Sequence, residues 1–261
     1  MKLITRTLLF VSLSAFSSFA LAGVASDIDS IPAYDSEKTD DDWSGMLGLA
    51  LLSSPEYIGS EDTEGSGAPI IIVDYKDTAY FKINRGGYWF WKANDNFRMG
   101  ALIKLRAGAW EDDDDSIEDL GPLPASFDEP DMQAEPGVNL LYQAGKVKFE
   151  FQLLSGEDIN AVAKVDFLAY KSEKSTITVQ FEVEALGEDT VNYNWYGDTS
   201  GADVDAATNT SLALIGTYSL NKEWGLIYGA KTTSLDEEIE DSPIGDDDTY
   251  TIGFFGATWA F

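Results

Sequence analysis

Apolar and polar residues alternate with a period of two along most of the chain from Trp43 onward. In residues 97–107, Ile103 and other apolar residues occupy one set of alternate positions, whereas Lys104 and other basic residues occupy the second set. This alternation predicts β-strands with one apolar and one polar face. The same pattern recurs over residues 147–153, 159–169 and 176–185.

Three further features favour a transmembrane barrel over a soluble β-sandwich. Charges stand in the middle of the polar faces, several strands run to ten residues or more, and tight turns alternate with long acidic loops. The predicted tight turns are 76–77, 94–95, 145, 172–174 and 221–222. The predicted long loops are 54–67, 109–134, 188–208 and 236–248.

Together, the alternating strands, tight turns and long loops predict an all-β fold, a transmembrane antiparallel up-and-down β-barrel of about twelve strands. An even number returns both termini to the same side of the membrane, here expected to be the periplasm. The count becomes ten if the short segments between residues 79 and 92 merge. The predicted strands are 43–53, 68–75, 79–84, 87–92, 97–108, 135–144, 147–155, 159–170, 175–187, 209–220, 223–235 and 249–261.

The N-terminus has the layout of a secretory signal. Lys2 and Arg6 precede an apolar core, and Ala20-Leu21-Ala22 supplies the small residues of a cleavage site. We therefore expect a signal peptide over residues 1–22, an acidic flexible periplasmic tail over 23–42 and the barrel over 43–261. No other stretch is apolar for the roughly 18 residues that a transmembrane helix needs.

The last predicted strand is the strongest single indication of an outer-membrane protein. It ends in an aromatic residue and bears no charge on the face that includes that residue. This pattern is the signal that the bacterial barrel-assembly machinery reads, so we expect that machinery and outer-membrane lipid as partners. The predicted assembly signal consists of Phe255, Ala257, Trp259 and Phe261.

Composition narrows the possible chemistry. The chain contains no histidine and no cysteine, which excludes Ser-His-Asp hydrolases and thiolate nucleophiles. Its net charge of −29 would repel nucleic acids. The carboxylate runs at 111–115 and 236–248 could attract Ca²⁺ or Mg²⁺, but adjacent like charges are more typical of solvated loops. We therefore predict no enzyme activity, no metal, no cofactor and no nucleic-acid partner.

Three segments resemble the MltA-interacting protein/OmpV family of Gram-negative outer-membrane proteins, over essentially the whole chain from Gly45. One of the three, Tyr193-Asn194-Trp195-Tyr196-Gly197, departs from the family's more usual Tyr-Phe-Gly. The residues of the other two are Ser54, Pro55, Glu56, Tyr57, Gly59 and Ser60, and Asp241, Ser242, Pro243 and Ile244. The resemblance implies a scaffold that bridges a lytic transglycosylase and a penicillin-binding protein, both murein enzymes.

Other members of the family resemble porins or adhesins, so a narrow, cation-preferring channel and a surface adhesin remain as alternatives. The charges expected to face the lumen are mixed in sign, which suits a salt-bridged plug as well as a conduit. The acidic ones are Glu150, Asp166, Glu182 and Glu184, and the basic ones are Arg98, Lys104, Arg106 and Lys164.

Overall fold

The computed structural model describes residues 43–60, 62–109, 130–197, 204–245 and 247–261. Within these residues, twelve antiparallel strands form one closed barrel, in which neighbours in sequence pair and the last strand pairs with the first. The predicted all-β barrel of about twelve strands is confirmed. The predicted signal peptide and tail, residues 1–42, lie outside the described residues.

The strands are β1 (Trp43–Pro55), β2 (Thr63–Tyr75), β3 (Ala79–Lys82), β4 (Arg85–Asn94), β5 (Phe97–Arg106), β6 (Gln133–Ala144), β7 (Val147–Ser155), β8 (Ile159–Lys171), β9 (Ser175–Leu186), β10 (Ala207–Ser219), β11 (Trp224–Ser234) and β12 (Thr249–Ala260). Two short helices lie in the connections that follow β9 and β11, α1 (Glu188–Trp195) and α2 (Glu237–Glu240). In the described part of the chain, no helix is long and apolar enough to span a membrane.

The barrel is closed by the pairing of β1 with β12. Gly45 and Phe261 exchange both backbone hydrogen bonds, each with an N···O distance of 3.1 Å. A Cβ at Gly48 would lie 2.3 Å from the carbonyl oxygen of Ala257, so this close approach requires a glycine. The C-terminal residue therefore takes part in the seam of the barrel.

The two faces of the wall agree with the predicted alternation. Phe181 on β9 is 48% exposed on the outside, whereas its neighbour Gln180 is only 1% exposed. Phe255 and Trp259 on β12 also project outward. The outer surface is thus apolar and aromatic while the inner surface carries the charges, the arrangement of a transmembrane barrel.

The two rims of the barrel differ in their connections. At one rim, called the turn rim, the connections are short and lie beside residues 43 and 261; they are 76–78, 95–96, 145–146, 172–174 and 220–223. At the opposite rim, the loop rim, the connections are 56–62, 83–84, 107–132, 156–158, 187–206 and 235–248. The predicted long loop at 54–67 is wrong in extent, because pairing between β1 and β2 continues as far as Pro55 and Thr63.

The strand β3 is short, and it leaves the wall incomplete toward the loop rim. It pairs with β2 only over residues 72–75, whereas β2 has 13 residues. Among the described residues, no strand pairs with 63–71 on the side away from β1. Pro69 lies in this segment, and a proline is tolerated there because it has no N–H to donate to a neighbouring strand.

Candidate functional site: the closed lumen

Buried ion pairs fill one side of the lumen. Arg85 on β4 binds Glu150 on β7 through two contacts, of 2.7 and 3.4 Å. Lys148 Nζ lies 2.5 Å from Asp166 Oδ2. Because an open aqueous lumen would leave such side chains accessible, the 4% and 6% exposure of Arg85 and Glu150 indicates a filled interior.

Two carboxylates on β9 each bind two cations. Glu182 contacts Lys164 Nζ at 2.6 Å and Lys231 Nζ at 3.0 Å. Glu184 contacts Lys104 Nζ at 3.2 Å and Arg106 Nη2 at 3.0 Å. The contacts between β5 and β9 cross the lumen, since these strands are not neighbours in the sheet.

Arg106 links this cluster to β6 through Glu135. Arg106 Nε donates to Glu135 Oε1 at 2.9 Å, and Asn160 Nδ2 donates to the same oxygen at 2.7 Å. Burying these charges is tolerated because each has a partner of opposite sign at close range. We call this set the ion-pair network; its members are Arg85, Lys104, Arg106, Glu135, Lys148, Glu150, Lys164, Asp166, Glu182, Glu184 and Lys231.

The opposite side of the lumen wall is apolar. Its inward residues lie on β1, β2, β10, β11 and β12 and are at most 6% exposed. Ile70 and Ile215 are each 1% exposed, which shows that lumen contacts cover them from inside the barrel. This apolar side consists of Met46, Ala50, Leu52, Ala68, Ile70, Ile72, Ala213, Ile215, Ile227, Ile252 and Phe254.

A second apolar cluster closes the lumen at the loop rim. Its residues come from α1, α2, the ends of adjacent strands and the loops around them, and all are at most 7% exposed. We call this cluster the lid; it comprises Tyr57, Ala109, Leu186, Val191, Trp195, Ala207, Leu235, Ile239 and Ile244.

The three segments that carry the family resemblance meet in this lid. Tyr57 from the first segment and Ile244 from the last are both 0% exposed, and Trp195 from the middle segment packs in the same cluster. Asp247 N donates to Gly59 O at 2.9 Å, which ties the first loop to the last. Spacing in sequence could not place these segments together, because closure of the barrel brings their loops to one rim.

The remaining motif residues support the loops. Ser60 Oγ accepts a hydrogen bond from Asp62 N at 3.1 Å, and Ser242 O accepts one from Gly245 N at 3.0 Å. Gly59 has φ of 107°, a conformation that L side chains rarely adopt. Pro55 ends β1, while Glu56 is half-buried and Asp241 and Pro243 are exposed. These residues shape the lid.

Tyr196 holds α1 against α2. Its hydroxyl donates to Glu238 O at 2.8 Å and lies 3.2 Å from Glu238 Oε1. Burial, together with the nearby carboxylates of Glu238 and Asp241, raises the pKa of Tyr196 to about 12. The next residue, Gly197, has φ of 60° and ends the segment in a left-handed conformation.

A cavity of about 80 Å³ lies between the lid and the ion-pair network. Trp195 and Asn194 of α1 bound it at the loop rim, and Asn84 bounds it where β3 and β4 meet. We call it the sub-lid cavity. Its charged lining residues are Lys104, Arg106, Lys164, Glu182, Glu184 and Lys231.

Most of the charges predicted to face the lumen belong to the ion-pair network, and the plug interpretation fits them. Arg98 differs, because its guanidinium lies 5.8 Å from the ring centroid of Trp89. Four members of the network were missing from the predicted lumen charges, Arg85, Glu135, Lys148 and Lys231. Arg85 lies beside Gly86, and Lys231 follows Gly229 by two residues; these glycines hide the alternation, and Glu135 precedes a proline.

In the part of the chain that the structure describes, no group of three or more acidic residues is arranged to hold a metal ion. The carboxylate run 111–115 lies outside that part, as does most of the predicted loop 109–134.

Comparison with known proteins identifies a family. The family model described as MltA-interacting protein MipA matches residues 47–261. No curated protein sequence matches the chain significantly.

Solved outer-membrane barrels are similar to the chain at low sequence identity. An outer-membrane channel from Pseudomonas putida F1 is 10% identical with a TM-score of 0.44, over 88% of this chain and 100% of the other. OmpT of Vibrio cholerae is 10% identical with a TM-score of 0.38, over 85% and 99%. The KdgM porin is 11% identical with a TM-score of 0.37, over 84% and 99%.

Proposed function

The chain belongs to the family of the MltA-interacting protein MipA, and on that premise we propose that it is an outer-membrane scaffold with a closed lumen. In this proposal the barrel anchors murein enzymes at the periplasmic side, among them a lytic transglycosylase and a penicillin-binding protein. The barrel-assembly machinery inserts it, and outer-membrane lipid surrounds its apolar exterior.

The observation that carries the proposal is the occluded lumen. The ion-pair network fills the middle of the barrel, and the lid covers its mouth at the loop rim. A barrel that served as a constitutive pore would need a continuous aqueous path, which these buried contacts oppose. A scaffold needs only a stable wall and accessible surfaces at the rims.

The same contacts argue against catalysis in the lumen. The network carboxylates engage cations at 2.5–3.2 Å, so they are held as structural anions. Histidine and cysteine, the usual general base and thiolate nucleophile, are absent from the sequence. We therefore propose that the protein is not an enzyme.

The partner surface in this proposal is the turn rim together with the tail. Residue 43 begins β1 at the turn rim, so residues 23–42 connect there, and we place this rim in the periplasm. The tail contains seven acidic residues and one lysine, Lys38. Such a charge would speed the encounter with a basic partner and would be screened by salt.

A capture experiment tests the scaffold role. Purified full-length barrel should retain a lytic transglycosylase or a penicillin-binding protein from envelope extract at low ionic strength, and removal of residues 23–42 should reduce the capture. A tail of the same length with every Asp and Glu changed to Asn or Gln is the matched control for charge. Capture of neither enzyme class by the folded full-length protein would overturn the proposal.

The sub-lid cavity favours a second candidate, a channel that opens when the lid moves. The cavity already lies inside the barrel, and the lid separates it from the loop rim. Planar-bilayer recordings separate the two candidates. The scaffold predicts a silent barrel both before and after the loops are trimmed by protease, whereas the gated channel predicts conductance after trimming.

A further inference from the structure

The sub-lid cavity has an apolar side and a polar side. Trp195 and Ala109 of the lid bound it at the loop rim, and both are buried. Asn84 bounds it at the wall, together with the carboxylates of Glu182 and Glu184. Ligand sites in proteins combine apolar walls with a few convergent polar groups in this way. The polar groups of the cavity therefore indicate which kind of molecule would fit.

Two buried polar atoms of the lining residues have no hydrogen-bond partner among the described residues. Trp195 Nε1, on α1, is a donor, and Asn84 Oδ1, where β3 and β4 meet, is an acceptor. Trp195 is 3% exposed and Asn84 is 4% exposed, so neither side chain is open to bulk solvent. Because a buried polar atom without a partner is costly, nearly all such atoms in proteins are satisfied by some group.

Glu184 supplies a further acceptor to the same cavity. Lys104 Nζ and Arg106 Nη2 both donate to Glu184 Oε1, at 3.2 and 3.0 Å. Among the described residues, no hydrogen bond reaches the other oxygen, Oε2. Since each carboxylate oxygen can accept two hydrogen bonds, Glu184 keeps acceptor capacity beside its ion pairs. The cavity thus offers two acceptors, on Asn84 and Glu184, and one donor, on Trp195.

We propose that the sub-lid cavity is a binding site for a small neutral polyol. A hydroxyl group both donates and accepts, so the hydroxyls of one polyol can donate to Asn84 Oδ1 and Glu184 Oε2 and accept from Trp195 Nε1. An anion such as a carboxylate has no donor for the two acceptors, and an ammonium ion has no acceptor for the indole. The proposal is independent of the scaffold role, because it concerns only the interior of the barrel.

The volume of the cavity limits the ligand. About 80 Å³ is available, and on this measure one water needs about 10–15 Å³. The space therefore accommodates a molecule of about six non-hydrogen atoms, such as glycerol. Several waters would also fill it, but each ordered water costs entropy, whereas one polyol is ordered once. The carbon atoms of a polyol can also pack against Trp195 and Ala109, which water cannot do.

Equilibrium dialysis with radiolabelled glycerol tests the site on the full-length folded barrel in detergent. The unmodified protein should bind glycerol saturably. Asn84→Leu should weaken binding about fivefold, because it removes one acceptor and keeps a side chain of similar size. Trp195→Phe should weaken binding by a similar factor, because it removes the N–H donor and keeps an aromatic ring. Mannitol, which is about twice the size of glycerol, should not compete, because it exceeds the volume of the cavity.

Matched controls carry the same two changes outside the cavity lining. Asn96→Leu lies at an exposed position in a turn-rim connection, and Trp91→Phe lies on β4 at a position that is 50% exposed. Both should bind glycerol as the unmodified protein does, and heat-modifiable migration checks that each barrel is folded. The proposal is overturned if the unmodified barrel takes up no glycerol saturably, which would leave water as the occupant. It is also overturned if mannitol displaces glycerol, or if folded Asn84→Leu and Trp195→Phe barrels bind glycerol as tightly as the unmodified protein.

Discussion

The two sides of the lumen wall are built on different physical principles. On β4 to β9 the inward residues include the charges that hold one another through ion pairs, beside a small apolar cluster of Leu102, Leu154 and Val162. On β1, β2, β10 and β12 they are mainly aliphatic and pack as a core. Lys231 on β11 connects the two sides, because it binds Glu182 on β9 over the inner face of β10, the strand between them. The barrel thus combines a polar interior with a core that resembles that of a soluble protein.

This difference determines how each side should respond to substitution. Removing one partner of a buried ion pair leaves an uncompensated charge in the interior. Removing a methylene group from the apolar side loses only packing and transfer free energy. The charged side should therefore be far more sensitive to a change of a few atoms.

The largest effect is expected at Glu182, which binds two cations. Glu182→Gln should lower the free energy of unfolding by about 3–5 kcal/mol, because it removes a buried carboxylate that Lys164 and Lys231 both contact. Urea titration of the refolded barrel, followed by tryptophan fluorescence, measures the change. Glu173→Gln, at an exposed position in a turn-rim connection, is the matched control and should have little effect.

The adjacent residue tests the outer face of the same strand. Phe181→Arg should cost about 2–4 kcal/mol if Phe181 faces lipid near the middle of the bilayer. Phe181→Leu keeps an apolar side chain and should cost much less. Unfolding in lipid vesicles is the measurement, and equal stability of the two variants would mean that this face does not contact lipid.

The same contrast explains what the sequence could predict. On β5 and β9 the charges alternate with apolar residues, so both the strands and their faces follow from the sequence. On β1 both faces are apolar, so alternation cannot show which residues point inward. Residues 63–67 of β2 are mostly small or polar, and they join the sheet because β1 provides a pairing partner.

The site itself was only partly predictable. The resemblance identified the motif segments, but their assembly into one lid depends on contacts between distant loops, such as the hydrogen bond from Asp247 N to Gly59 O. The apolar side of the lumen was missed because a transmembrane barrel is expected to be polar inside. Both features arise from tertiary packing, which leaves no local pattern in the sequence.

On the apolar side a small effect is expected. Ile70→Val should cost about 1 kcal/mol, because it removes one buried methyl group from the lumen core. Ile71→Val is the matched control, since the next residue is half-buried and points outward. Urea titration measures both variants, and a loss at Ile70 as large as that of Glu182→Gln would contradict the distinction between the two sides.

The smallest effect concerns the lid, which covers both sides of the lumen. The folded-state pKa of Tyr196 lies above its ordinary value of 10, so the contribution of its neutral hydroxyl is complete below pH 10 and is lost as pH rises through about 12. Tyr196→Phe should lower lid stability by about 0.5 kcal/mol at neutral pH, because the hydrogen bond to Glu238 is lost.

Protease cleavage between α1 and α2 measures opening of the lid. Cleavage of the unmodified barrel should accelerate between pH 10 and 12, and this increase should be smaller in the Phe variant once both are corrected for the protease's own pH dependence. An equal increase in both proteins would show that another group controls the lid.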